Sequence, residues 1–162
     1  MAVHMFLDLG DIKGETQDAD HKDQIEILAF SWGLSQSGTM HQGTGGGAGK
    51  VNVQDVSLTK WIDKATPALI KRCCNGKPLP EAKLTVLKAG ETALPYLIYT
   101  FKNVMITAVS TGGSGGEDRF TENVVLNFAQ FQIDYQPQGA DGGKEGGAIQ
   151  AGWDIPANKS LK

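Results

Sequence analysis

The sequence predicts a mainly β protein: a small closed or nearly closed β-barrel of bent antiparallel strands, with one flanking short α-helix and long Gly-rich loops. Three observations predict it. Strand-period alternation dominates the apolar pattern along the chain. Several strands switch apolar parity partway, which a strand does at a bulge or bend that curls a sheet toward closure. One segment alone carries both a helix start and a helix stop signal.

The elements follow in order. FLDL (6–9) is a short apolar strand ended by Gly10, and the acidic stretch 11–23 is a loop. IEILAFSWGLSQS (25–37) reads as a long strand with Leu28, Phe30, Trp32 and Leu34 toward the core. Its other face carries Ile25, Ile27, Ala29, Ser31 and Gly33. In 51–62, Val51 and Val53 share one parity and Val56, Leu58 and Ile62 the other, so a bulge or bend is expected near Gln54-Asp55.

Thr66 suits an N-cap, Pro67 the first helical position and Asn75-Gly76 a C-terminal stop. Between them Leu69, Ile70, Cys73 and Cys74 form one apolar stripe, which makes the two cysteines core side chains. After the helix, 82–89 is a strand. Leu97, Tyr99 and Phe101 then give way to Val104 and Ile106, and Val124, Leu126 and Phe128 to Phe131, Ile133 and Tyr135. A last strand alternates Ile149, Ala151, Trp153 and Ile155.

At 162 residues the chain is read as one domain, 1–162, large enough for a core without staples. The excess of glycine, 21 residues, gathers at 43–49, 112–116 and 139–147 and marks loops. A net charge of −3 with scattered lysines and arginines gives no footprint for nucleic acid. No apolar run is long enough for membrane insertion, and the N-terminal stretch lacks the basic and apolar regions of a cleaved signal peptide. The only two cysteines, Cys73 and Cys74, are adjacent, so no disulfide framework exists.

The stretch HQGTGGGAGKVNVQD (41–55) approaches a phosphate-binding loop and then departs from it. The position five residues before Gly49 is Thr44, where the pattern needs glycine, and Val51 follows Lys50 where it needs a hydroxyl. A strand pattern follows instead of the helix whose N–H groups hold phosphates. The Ser-Gly-rich run at 110–123 lacks a nucleophile elbow, and His4, His21 and His41 have no orienting carboxylate in view. No Cys/His ligand spacing is present. The expectation is no enzyme, no cofactor and no metal.

Four stretches carry a resemblance: DIKGETQDADHKDQIEILAFSWGLSQSG, GKVNVQDVSLTKWIDKATPALIKRCCNGK, STGGSGGEDRFTENVVLNFAQFQIDYQPQ and GWDIPANK. In this order, from about Phe6 to Lys159, the chain resembles the haemolysin-coregulated protein (Hcp) family, the tube proteins of type VI secretion. Thr44 within the glycine run is a small departure. The resemblance implies a homohexamer, with rings stacked head to tail into a tube that a sheath expels. The implied partners are further copies of the chain, a spike protein, the sheath and secreted effectors. It also implies a cytoplasmic protein that leaves through the secretion machine, with no effector domain after residue 162.

Two candidate sites follow. Ala29, Ser31 and Gly33 are expected to face the lumen of the ring, because the strand resembling IEILAFSWG contributes to the inner wall in that family. Gly43, Thr44, Gly45, Gly46, Gly47, Ala48, Gly49 and Lys50 are expected to form a pliable ring-stacking loop, too poor in side-chain volume to make a core of its own. The rival class is a monomeric β-barrel that binds a small ligand in a pocket lined by Trp32, Trp61 and Trp153.

Overall fold

The computed structural model describes residues 3–43, 47–88 and 93–161. Six strands close the barrel: β1 (Val3–Asp8), β2 (Ile25–Ser31), β5 (Val56–Trp61), β8 (Thr121–Asn127), β7 (Leu94–Thr111) and β6 (Leu79–Lys88). Every neighbouring pair is antiparallel, and β6 returns to β1 to complete the ring of hydrogen bonds. Closure leaves no bare edge within the barrel. Beyond it, β9 (Gln130–Tyr135), β10 (Ile149–Asp154) and β11 (Lys159–Ser160) extend the sheet from the first half of β7. β3 (Leu34–Ser35) and β4 (Asn52–Val53) form a separate two-stranded ladder.

The parity switches have physical causes at named residues. Asn103 takes φ 54°, a left-handed conformation that asparagine tolerates better than most residues, so Phe101 and Val104 both turn inward. The kink lets one strand serve two partners in turn: Leu97–Lys102 pair with β9, and Met105–Thr111 pair with β8. Phe128 and Ala129 separate β8 from β9 in the same way.

Two expectations about β2 need correcting. Its register with β5 slips between Ile27 and Ala29, so the face reverses there. Ile25 and Ile27 are buried before the slip, and Phe30 and Trp32 pack on the core after it. Leu28 is the extra residue and is exposed; Leu34, expected inside, is 50% exposed on β3. The anticipated bend at Gln54-Asp55 is a change of partner, with β4 pairing β3 and β5 returning to β2. Ile62 follows the end of β5 and is exposed.

Buried side chains including Leu7, Ile25, Leu58, Leu84, Phe101, Ile106 and Leu126 fill the barrel. At about 25 cal/mol per Å² of apolar area removed from water, this burial is the main stabilising term. The α-helix α1 (Thr66–Asn75) lies against β7 and buries Leu69. Gly76 ends it in the left-handed conformation, φ 64°, and its N–H donates to the Arg72 carbonyl at 3.0 Å. Ala65, not Thr66, is the N-cap, because the Thr66 side chain is drawn into the barrel wall. Cys73 packs on the core as expected, whereas Cys74 and Ile70 lie on the exposed side of this short helix.

Candidate functional site

Alternation divides the wall formed by β2, β5, β8 and the second half of β7 into two faces. Inward point Val56, Leu58 and Lys60 of β5 and Glu122, Val124 and Leu126 of β8, all buried. Outward point Ser57, Thr59 and Trp61 of β5, beside Thr121, Asn123 and Val125 of β8. Ala29 and Ser31 flank them on β2, and Ala108 and Ser110 on β7. None of these ten outward residues is charged, although 20% of the chain is charged. Solvent-facing sheet positions ordinarily carry lysine, glutamate and other charges. Apart from the indole of Trp61, the face offers small hydroxyl, amide and methyl groups, and Thr59 Oγ1 donates to Asn123 Oδ1 at 2.8 Å.

The charge of these two strands is inside. Lys60 Nζ donates to Glu122 Oε1 at 2.5 Å, to Asp63 Oδ1 at 3.0 Å and to the Trp61 carbonyl at 2.7 Å, which uses all three of its protons. Thr66 Oγ1 donates to Glu122 Oε1 at 2.7 Å and accepts from the Asp63 N–H. Lys60 and Glu122 are 1% and 0% exposed. The cluster ties β5 to β8 and both to the start of α1. Sequence reasoning missed it. The available signal was two opposite charges on the core parity of two neighbouring apolar strands.

The structure places the predicted residues differently. Ala29 and Ser31 are exposed on the uncharged face. Gly33 lies past the end of β2, where its carbonyl accepts from the Gln54 N–H at 2.9 Å, so it belongs to the root of the loop. The loop itself is a hairpin arm. Leu34 and Ser35 pair with Val53 and Asn52, and Gly38 bridges Ala48. Thr39 Oγ1 accepts from the Gly47 N–H and donates to the Gly47 carbonyl. Gly43 takes φ 77°, and Gly43, Gly47, Ala48, Gly49 and Lys50 are exposed; Thr44, Gly45 and Gly46 lie outside the described residues.

Trp32 holds the root of this arm. Its indole N–H donates to the Gln54 carbonyl at 2.9 Å, and its ring meets Tyr99, Phe101 and Phe131 edge-on at centroid distances of 5.7, 6.0 and 5.0 Å. Such edge-to-face geometry suits the ring quadrupoles. Burial raises the Tyr99 hydroxyl above its ordinary pKa, and the neighbouring Tyr96 raises it further. At the other end of β5, the Arg119 guanidinium stacks over Trp61, 4.3 Å from its centroid. Among the described residues no cluster of three His, Cys, Asp or Glu side chains could hold a metal ion, and no helix is long and apolar enough to cross a membrane.

Residues 6–135 match the family described as "Type VI secretion system effector, Hcp". The chain is 62% identical over 159 residues to "Protein hcp1" of Pseudomonas aeruginosa, covering 98% of each sequence. It superimposes on a solved structure described as a type six secretion system protein with a TM-score of 0.92, at 31% identity and 98% and 99% coverage of the two chains. With Hcp1 of Salmonella typhimurium the TM-score is 0.82 at 39% identity, over 99% of this chain and 100% of that one. The chain belongs to the Hcp family of type VI secretion.

Proposed function

We propose that this chain is the structural tube subunit of a type VI secretion system. Six copies form a ring, rings stack head to tail, and effectors ride in the channel. The supporting observation is the uncharged face of β2, β5, β8 and β7. A wall that must meet polypeptides of either sign without trapping them is best built from small neutral groups, because a fixed charge would attract one class and repel the other. Ser31 lies on this face and lines the lumen with Ala29. In this reading the protein waits in the cytoplasm and leaves through the secretion machine. It works with spike and sheath and catalyses no reaction.

Self-association has its own support. Tyr135 of β9 and Ile149 of β10 are opposite one another and 44% and 64% exposed, on the face that continues the barrel core past Phe101 and Phe131. A sheet face that is apolar by alternation and open to water is suited to cover by another subunit. For the monomeric ligand-binding alternative, Trp61 and Trp32 do not share one pocket. Trp61 sits at one end of β5 under Arg119, and Trp32 sits beyond its other end among the aromatic rings.

Mass measurement of the purified protein, followed by electron microscopy down the ring axis, tests the assembly. A hexamer with an open channel is expected, and a stable monomer at micromolar concentration sinks the reading. Ser31→Gln then tests the lumen: the ring forms, while the stability or export of small effectors changes.

A further inference from the structure

The uncharged face has two dissimilar ends. At the first, the arm continues beyond the β2–β5 pairing, from Ser31 opposite Ser57 to Leu34 opposite Val53 and Gly38 opposite Ala48. From Leu28 to Gln54 the chain holds no carboxylate, and Lys50 is its one lysine or arginine. Lys50 is exposed, and Met40 near the tip is 81% exposed. At the opposite end, past Trp61 and Thr121, the turn between β7 and β8 carries Glu117, Asp118 and Arg119.

Arg119 does not neutralise its neighbours. It is stacked on Trp61, and among the described residues no ion pair joins it to either acid. Glu117 and Asp118 are exposed and, with Trp61, Arg119 and Thr121, rim an open hollow of about 430 Å³. The root of the arm and the hollow lie at opposite ends of β5. An arm therefore meets a hollow only on another copy. Two different patches joined head to tail are what an open stack of rings requires.

We propose that the arm of one copy docks on the Trp61–Glu117–Asp118 hollow of the next copy along the tube. Lys50 faces the two carboxylates and Met40 lies on the indole beside Arg119. The inference rests on the tube reading and adds the surface that receives the arm. A lone exposed ion pair is weak, but a ring repeats the contact at every subunit, so the whole interface responds to small changes in each one.

The test is a charge swap measured on assembled protein. Sedimentation separates single rings from stacks, and native mass reports the hexamer. Reversing the acids (Glu117→Lys with Asp118→Lys) or the cation (Lys50→Glu) should each lower the stacked fraction by roughly tenfold, because the loss repeats around the ring. Combining all three should restore most of it, and rising salt should weaken wild-type stacks. A hexamer whose stacking ignores these substitutions, or a triple variant no better than its parents, overturns the contact alone. A wild-type chain that stays monomeric overturns ring and contact together, and wild-type rings that do not stack up to millimolar concentration also overturn the contact.

Discussion

The two faces of β5 and β8 invert the usual arrangement of a protein wall. Lys60 and Glu122 are the only charged residues of these strands, and both are buried, while their outward-facing neighbours Ser57, Thr59, Asn123 and Val125 are neutral. An ordinary surface keeps its charges in water because removing a carboxylate or ammonium from water is expensive. The inner face accepts that expense because the hydrogen bonds of Lys60 and Thr66 knit two strands and a helix start together. The outer face gives up the solubility that charges provide. That sacrifice fits the proposed lumen, where passing polypeptides, rather than water alone, set the requirement.

The largest expected effect comes from breaking the inner face. Lys60→Met leaves Glu122 buried without its cation and should destabilise the fold by about 3–5 kcal/mol. Urea unfolding followed by tryptophan fluorescence measures it. If the loss is under about 1 kcal/mol, comparable with an exposed pair, the cluster is not the buried tie described above. Lys60→Met with Glu122→Leu should be clearly less damaging than the single change, because no orphaned charge remains, and the double-mutant cycle reports the coupling. Among the described residues Glu122 Oε2 has no hydrogen-bond partner, which limits what the pair contributes beyond an apolar replacement.

A smaller effect is expected at the aromatic end. Trp32→Phe keeps a ring among Tyr99, Phe101 and Phe131 but removes the bond to the Gln54 carbonyl. About 1–2 kcal/mol is expected, with faster amide exchange at residues 33–53 than in the barrel. Uniform exchange would show that the indole does not anchor the arm. On the outer face, Ser110→Lys should change unfolding free energy by no more than about 0.5 kcal/mol while making the proposed lumen selective for acidic cargo. A large stability loss would mean that this face packs within its own subunit.

The smallest effect separates the two ends by pH. The raised pKa of Tyr99 favours the neutral phenol in the folded state. The unfolded chain therefore loses the proton first, so this contribution is fully present below about pH 10 and declines as pH rises toward the folded value. Tyr99→Phe should remove that alkaline slope and leave the Lys60 cluster untouched.

The strands and their bends were readable in part because alternation is a local property: Leu97, Tyr99, Phe101 and then Val104, Ile106 announce a kink without any knowledge of partners. Leu28 was misplaced since a bulge is decided by the facing strand, and one skipped residue reverses every side chain after it. Lys60 and Glu122 were unreadable one strand at a time, because a charge on the core parity looks like an exposed residue until its counter-charge is seen 62 positions away. Ser31 was expected opposite Phe30 and Trp32, and with the slip after Ile27 it lies on the exposed face.

The kink at Asn103 also determines how the subunit bears force. β7 is 18 residues long and bonds laterally to β6, β8 and β9, so a pull or push on any of them reaches the others through one backbone. Antiparallel ladders loaded along their strands must shear many hydrogen bonds at once, whereas ladders peeled from an end yield one bond at a time. A subunit built around a single shared strand is braced along that strand and compliant across it, which suits the proposed tube when it is driven lengthwise.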